Sequence, residues 1–396
     1  MKKNNPVRKS FYWLLRRTVG PAIRMYYRIR YDKTAIRRLK PPYLVLANHT
    51  TLWDCIFVAA MIPHIVFYIA SDQNFRYPLV RVLFNILGVT PKKKSVSDMN
   101  AVKQLIRIKR EKGVIGVFPE GKRTWDGRTG EILYATSKLA KNLRVPVVTI
   151  KVAGGYLSRP RWASNSRRGR MEMTADVLYT SEQLTSLSVD EIHEGLTQAL
   201  SHDEAAWQEE RGFAFRGRRM AEKLELALFI CPKCRRIGTM GSAGDAFTCR
   251  SCGYDVRYTP QGFFAAGKSE PIHTSVPGWN DWQQGRLRAY IRETGDGPLF
   301  EDHGMEKLST DIGTGTMESH GMGALRLFRD RIVYAQEERE ESYTLDKLRG
   351  VNVQANYKLE FYYDTVLYQF RHPDRGASAY KWVSAIKACL ESADRP

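Results

Sequence analysis

No apolar run in this chain is long enough to cross a bilayer. The longest, CIFVAAMIPHIVFYIA, has 16 residues and is interrupted by Pro63 and His64, whereas a spanning helix needs about 20. The N-terminal stretch is not expected to act as a secretory signal, because FYWLL is too short an apolar core and Arg16 and Arg17 follow it directly. These absences predict an intracellular protein without a transmembrane span. Acidic residues are scarce in one part of the chain only. Residues 1–150 hold 29 Lys and Arg against 8 Asp and Glu, while residues 251–396 hold 18 against 21. The formal net charge of +20 therefore belongs to the N-terminal region, whose field attracts nucleic acid, an anionic membrane surface or phosphorylated substrates. Internal repeats and low-complexity tracts are absent, and the length allows two or three domains with cores of their own.

From Tyr43 to about Ile150, short β-rich runs (YLVLA, IVFYIA, GVIGVF, VPVVTI) alternate with helical stretches (LWDCIFVAAM, PLVRVLFNIL, DMNAVKQLIRIKREK, EILYATSKLAKNL). The alternation predicts an α/β sheet with its functional groups in the loops. Ahead of it, Phe11, Leu14, Leu15 and Val19 share one helical face, with Lys9, Arg16 and Arg17 largely off it. Tyr12 and Trp13 flank that face, and Ile23, Tyr26 and Tyr27 continue it past Pro21. Such a segment is an in-plane membrane anchor or a helix docked on its own domain, and one helix can be both. Directly after the basic stretch GGYLSRPRWASNSRRGR, a polar helical region is expected, running through SVDEIHEGLTQAL to GRRMAEKLELALFI. Residues 293–323, rich in Gly, Asp and Glu, read as a linker. Beyond them come six short strands, from ALRLF to VLYQFRH, and a final helix, AYKWVSAIKACLESA.

The stretch ANHTTLWDC, residues 47–55, is the first with chemistry in it. Residues five apart sit about 140° from each other on a helix, so His49 and Asp54 meet only if NHTT is a turn and a helix begins at Leu52. Thr51 is then the N-cap and Asp54 the third helical residue. That geometry fits a histidine–carboxylate pair set for proton transfer, and equally a capping-box-like pair. In VFPEGKRTWDG, residues 117–127, Pro119 and Gly121 shape a tight turn and Lys122 and Arg123 present two cations. An arginine can grip a phosphate through two parallel hydrogen bonds. GVTPKKK, residues 88–94, is a further loop with three consecutive cations. Each alone reads as a solvated turn, but three such loops after elements of one α/β layer favour a shared site.

CPKC (231–234) and CRSC (249–252) are separated by 14 residues containing Gly238, Gly241 and Gly244. Paired CxxC knuckles at this spacing predict a zinc ribbon, with Cys231, Cys234, Cys249 and Cys252 closing a structural Zn²⁺ site that has no open position. Two disulfides are the alternative, which an intracellular chain disfavours. Cys55 and Cys389 lie in apolar contexts and read as buried thiols.

Together these residues resemble the glycerolipid acyltransferase family, of the 1-acylglycerol-3-phosphate acyltransferase type. Asn48, His49 and Asp54 match its first signature, Asn-His-x4-Asp, and Phe118, Pro119, Glu120, Gly121, Arg123 and Thr124 match its third. Gly88, Pro91 and Lys94 fit the second, with Lys94 where Arg is usual, which keeps phosphate contact but loses the bidentate grip. VPVVTI fits the fourth except that Thr149 replaces a second Pro. The resemblance covers about residues 40–155. It implies that His49 is the general base for a glycerol hydroxyl. Asp54 would orient its ring, stabilise the imidazolium and raise its pKa. The hydroxyl would attack an acyl thioester directly. Arg123, Lys122 and Lys94 would hold the acceptor's phosphate, in a substrate-binding block with Gly121, Thr124 and Glu120, the last ordering the turn or orienting the acceptor. From about Met322 the chain resembles a pleckstrin-homology-like domain with Trp382 as a core plug. Its slightly acidic balance argues against a strong headgroup site at Arg326, Arg329 and Arg331.

The expected order is a basic amphipathic segment (1–40), an α/β acyltransferase domain (41–225), a zinc ribbon (226–265), a linker (266–321) and a β-rich domain capped by one helix (322–396). The implied activity is acyl transfer from acyl-CoA or acyl carrier protein to a lysophospholipid, with lysophosphatidic acid becoming phosphatidic acid. The enzyme would be cytoplasmic and peripheral, on anionic lipid at the inner face of the cell membrane. Two readings of other classes are a zinc-ribbon nucleic-acid-binding protein and an inactive lipid-binding adaptor. The charge excess lies far from the ribbon, which argues against nucleic acid as partner. The intact set of His49, Asp54, Glu120 and Arg123 argues against an inactive adaptor.

Overall fold

The computed structural model describes residues 6–71, 84, 89–92, 99–310 and 316–393. The chain forms two compact units, residues 1–161 with 166–217, and residues 162–165 with 218–396. In the first unit seven strands form one sheet: β1 (Ile29–Asp32), β2 (Tyr43–Ala47), β3 (Val66–Ser71), β4 (Thr90–Lys92), β5 (Val114–Val117), β6 (Val147–Ala153) and β7 (Met171–Tyr179). Their order is β1-β7-β6-β2-β5-β3-β4. Every adjacent pair is parallel except β6 and β7. Strands β2 to β6 therefore point the same way, and the loops leaving them emerge at one edge, where α/β sheets place their sites.

All five residues of β2 are buried, as expected for a parallel strand covered on both faces. Tyr43, Val45 and Ala47 join one core with Phe57, Val58 and Met61 of α2 (Asp54–Met61). Leu44 and Leu46 join the other with Leu105 and Ile108 of α3 (Met99–Arg110), Ala140 and Leu143 of α4 (Tyr134–Leu143) and Ile192, Leu196 and Leu200 of α5 (Val189–Leu200). The sheet is thus a layer between two apolar cores. The expected helix PLVRVLFNIL lies outside the described residues apart from Phe84.

The N-terminal helix α1 (Pro6–Tyr26) is docked along one side and bare along another. Tyr12 is buried, its hydroxyl donating to the His64 carbonyl (3.2 Å), and Ile23 and Tyr27 pack on the core beside α2. Trp13, Leu14, Met25 and Tyr26 are exposed, Met25 by 74%. Leu14 therefore does not share the docked side with the residues that pack. The side chains of Lys9, Phe11 and Leu15 lie outside the described residues.

Two expectations about the middle of the chain are corrected. The region after residue 170 begins with a strand, β7, whose buried Met171, Met173 and Ala175 alternate with polar Glu172, Thr174 and Asp176. GRRMAEKLELALFI is not helical beyond one 3-10 turn at Leu224–Leu226. Arg219 and Lys223 have φ of 53° and 72°, which a continuous right-handed helix does not allow. Only α5 and α6 (Glu204–Arg211) are helices of two turns or more between them.

In the second unit a four-stranded antiparallel sheet runs β11-β10-β9-β8, made of β8 (Met240–Ala243), β9 (Ala246–Cys249), β10 (Asp255–Tyr258) and β11 (Phe264–Ala266). Helix α7 (Val276–Glu293) follows it. A seven-stranded antiparallel sheet comes next: β12 (Phe300–Thr310), β13 (Met317–Leu327), β14 (Arg331–Ala335), β15 (Glu340–Thr344), β16 (Leu348–Gln354), β17 (Lys358–Tyr363) and β18 (Val366–Arg371). Its order is β15-β14-β13-β12-β18-β17-β16, and α8 (Ala379–Ala393) ends the described chain. Trp382 of α8 is fully buried in the core of this sheet. The expected linker 266–321 instead contains α7, β12 and the start of β13. Its acidic residues have partners: Asp302 accepts from Lys381 Nζ (2.6 Å) and Trp382 Nε1 (2.7 Å), and Glu306 from Arg371 Nε (2.6 Å). Trp279 of α7 donates to the Ile230 carbonyl (3.0 Å), next to the first cysteine pair.

Candidate active site

Strand β2 ends at Ala47, and Asn48 extends its pairing with β6 through its side chain. Asn48 Nδ2 donates to the Val152 carbonyl (3.0 Å) and its Oδ1 accepts from the Val152 amide (2.7 Å). The chain then turns, and α2 starts at Asp54, two residues later than expected. Asp54 gathers that turn around a fully buried carboxylate. Its Oδ2 accepts from the amides of Thr50 (2.6 Å) and Thr51 (2.9 Å), its Oδ1 from both threonine hydroxyls (3.1 and 3.0 Å). Thr51 Oγ1 in turn accepts from the Trp53 amide (2.9 Å). Thr51 is therefore not the N-cap, which is Trp53 without a side-chain cap bond, and Asp54 is the first helical residue. Its carboxylate still reaches back to the turn ahead of the helix, which does not exclude the other role. The same Oδ2 lies 2.9 Å from His49 Nδ1.

The third block holds His49 by its main chain. Glu120, buried, accepts from the His49 amide (2.6 Å) through one oxygen and from the Gly130 amide (2.7 Å) through the other. The Thr124 amide donates back to the His49 carbonyl (3.0 Å). Gly121 sits at φ 65° in the turn between them, a conformation that favours glycine. Thr124 Oγ1 accepts from the Asp126 and Gly127 amides. Glu120 and Thr124 thus both bond main-chain groups around this turn. Lys122 is exposed and Arg123 half-buried, and the expected phosphate contact Lys94 lies outside the described residues, as does Gly88.

Electrostatics correct one further expectation. The His49 pKa is lowered from its ordinary value, not raised. Burial is the largest cause, the Arg123 and Arg161 cations add to it, and Asp54 only partly opposes them. Burial thus favours the neutral ring over the imidazolium. With Nδ1–H donated to Asp54, Nε2 keeps its lone pair. Burial also pushes Glu120 up to about 7, against the two amides that favour its charge. Phe118 stacks on His49 with centroids 4.3 Å apart and planes 21° off parallel, which fixes the ring's plane.

Several contributors carry no signal in the matched blocks. His202 Nε2 and Glu204 Oε2 meet at 2.6 Å in a buried pair at the start of α6. Glu204 donates its amide to the Gly127 carbonyl (3.2 Å) and accepts from the Leu157 amide (3.2 Å), tying the third-block loop to the loop after β6. Arg161, also buried, donates from Nη1 to the Arg123 carbonyl (2.9 Å). Three other histidines have side-chain or main-chain partners of their own. His64 Nδ1 meets the Tyr43 hydroxyl (3.0 Å), His193 Nδ1 the Ser137 hydroxyl (3.1 Å), and His372 Nδ1 accepts from the Asp374 amide (3.2 Å).

In the second unit, the sulfurs of Cys231, Cys234, Cys249 and Cys252 all lie within 4.8 Å of one another. The pairs Cys231–Cys252 and Cys234–Cys249 are 3.7 Å apart, far from a bonded S–S distance of about 2.05 Å. A tetrahedral site with Zn–S bonds of about 2.3 Å places its sulfurs about 3.8 Å apart. The donor set therefore fits a zinc ion.

Residues 28–153 match the family model described as Acyltransferase. That span runs from β1 to the end of β6 in the first unit and includes His49, Asp54, Glu120 and Arg123, so this segment is similar to that family. Among individual proteins, the chain is 26% identical over 115 residues to the chloroplastic 1-acyl-sn-glycerol-3-phosphate acyltransferase of Brassica napus, covering 28% of this chain and 33% of that protein. It is 24% identical over 155 residues to a 1-acyl-sn-glycerol-3-phosphate acyltransferase of Limnanthes alba, covering 38% and 54%. The chain thus spans between a third and about half the length of these curated relatives. The crystal structure of the 1-acyl-sn-glycerophosphate acyltransferase PlsC from Thermotoga maritima aligns with a TM-score of 0.43 at 17% identity, over 53% of this chain and 84% of that one.

Proposed function

We propose that this protein is an O-acyltransferase that works at a membrane surface and esterifies a lysophospholipid, with lysophosphatidic acid as acceptor and phosphatidic acid as product. The observation that carries the reading is His49 held at Nδ1 by a buried Asp54 and gripped through its main chain by Glu120 and Thr124, in a setting whose burial favours the uncharged ring. His49 Nε2 takes the proton of the acceptor hydroxyl while that oxygen bonds to the thioester carbon. The C–S bond then breaks, and the leaving thiolate takes the proton from the imidazolium. Asp54 stabilises the imidazolium between these events. The acceptor's phosphate lies at Arg123, assisted by Lys122 and Lys94. The donor is an acyl thioester of coenzyme A or of acyl carrier protein.

The bare side of α1 supports the membrane placement. Trp13, Leu14, Met25 and Tyr26 are exposed, and the neighbouring cations Arg17 and Arg24 are exposed with them. Interfacial aromatics with cations beside them suit an anionic surface. Among the described residues no helix is long and apolar enough to cross a membrane. The four cysteines hold one structural Zn²⁺ in a ribbon, and the sheet from β12 to β18 with α8 is a pleckstrin-homology-like module. We place the protein at the inner face of the cell membrane. The testing experiment incubates the purified chain with labelled acyl thioesters and a panel of lysolipids, the products being resolved by mass spectrometry. Label in phosphatidic acid supports the reading, and no ester from any lysophospholipid rejects it.

A further inference from the structure

The loop after β6 belongs to none of the matched blocks, yet it reaches the same sheet edge as His49 and Arg123. The chain turns at Gly154, φ 80°, and makes a single helical turn over Gly155–Ser158. A Cβ at Gly155 would fall 2.3 Å from Thr50 Oγ1, so this turn lies directly against the His49–Asp54 loop. Two arginines follow. The Arg159 guanidinium carbon is 5.8 Å from the ring centroid of Trp53, the residue before Asp54. That of Arg161 is 4.4 Å from the ring centroid of Trp125, two residues after Arg123.

We infer that this loop supplies the second arm of the acceptor's phosphate site, with Arg159 and Arg123 bracketing a phosphate monoester and Arg161 acting as the positioning residue for Arg123. The inference rests on the acyltransferase reading above and names how its acceptor is recognised. Arg161 holds the Arg123 main chain directly through the 2.9 Å bond to its carbonyl. Two carboxylates bond His49, Asp54 through the ring and Glu120 through the amide. Arg123 and Arg161 act on the His49 imidazole and Arg159 acts on Arg123, so three cations share one field and outnumber Asp54 and Glu120, a surplus of positive charge. A dianion offsets that surplus. The Arg159 and Arg161 guanidinium groups each lie within cation–π range of an indole ring, which anchors them at the site, and a planar fork matches phosphate oxygens.

The test uses the full chain with three acceptors: 1-acylglycerol 3-phosphate, 1-acylglycerophosphocholine and uncharged monoacylglycerol. Arg159→Gln should raise KM for the phosphate monoester about tenfold to a hundredfold, the effect of one charged hydrogen-bonding partner, with kcat changed far less. KM for monoacylglycerol should not move, and Arg159→Lys should recover only part of the loss. Arg161→Gln should lower kcat as well and shift the acid limb of the kcat/KM profile to higher pH. It removes one of the two cations facing His49, leaving Arg123 and the opposing Asp54. Calorimetric binding of glycerol 3-phosphate separates the two readings. Binding that depends on Arg159, in a protein that acylates no lysolipid, keeps the phosphate site and rejects acyl transfer. Equal KM changes on all three acceptors, or glycerol 3-phosphate binding indifferent to Arg159→Gln, would overturn the inference.

Discussion

Replacing Asp54 by Asn separates the turn-holding role from the catalytic one, because an amide serves the first far better than the second. An Asn oxygen in place of Oδ2 still accepts from the Thr50 and Thr51 amides, and its NH2 in place of Oδ1 can donate to the two threonine hydroxyls once they rotate. The stability loss is the charge-assisted part of those bonds, about 1–2 kcal/mol. The catalytic loss is the attraction between the carboxylate and the imidazolium, 2.9 Å apart, about 6 kcal/mol at an effective dielectric of about 20. The His49 side chain is 23% exposed, which screens part of that. A rate loss of about ten-thousandfold follows, the size seen when an orienting carboxylate is neutralised in a triad. The sign of the pH effect is also fixed. Native kcat/KM should rise with pH through an apparent pKa below the ordinary histidine value of about 6.5, since burial and two arginines outweigh Asp54. Removing the Asp54 charge should move that limb further to the acid side while lowering the plateau. Thermal unfolding and steady-state turnover measured side by side decide the matter. A folded Asp54→Asn variant with near-native turnover would refute the reasoning and leave Asp54 with the turn alone.

Arg123→Ala should cost about 2–4 kcal/mol in kcat/KM for a phosphate monoester, Arg123→Lys less, and equal losses on a phosphate-free acceptor would make its role structural. Metal analysis should find close to one zinc per chain, and native thiols at residues 231, 234, 249 and 252 that alkylate readily would reject the site. Deleting α1 should reduce sedimentation with anionic vesicles, each nearby cation having contributed about 1 kcal/mol; unchanged sedimentation would place the anchor elsewhere.

Much of this was legible in the sequence where local pattern and tertiary role coincide. YLVLA and VPVVTI are strands because unbroken apolar runs suit a sheet buried on both faces, and the six C-terminal strands and α8 fall where alternation placed them. Strand β12 was not legible. Its Asp302 and Glu306 give the segment a linker's composition, and their partners Lys381, Trp382 and Arg371 lie more than sixty residues away. Strand β7 was hidden by the polar residues on its second face. At the site, the motifs exposed His49 and Asp54, but the direction of the His49 pKa could not be read locally. It depends first on burial and then on Arg123 and Arg161, which spacing does not connect to His49. The main-chain role of Glu120 was hidden for the same reason, because Gly130 and the His49 amide reach it only through the parallel arrangement of β2 and β5.

The central claim is that His49 transfers a proton from an acceptor hydroxyl. Its most direct test is label transfer from acyl-CoA to 1-acylglycerol 3-phosphate, with native chain and His49→Ala run in parallel and both checked for a cooperative unfolding transition. The account predicts labelled phosphatidic acid from the native chain and none above background from a folded His49→Ala variant. Comparable phosphatidic acid from both would contradict it.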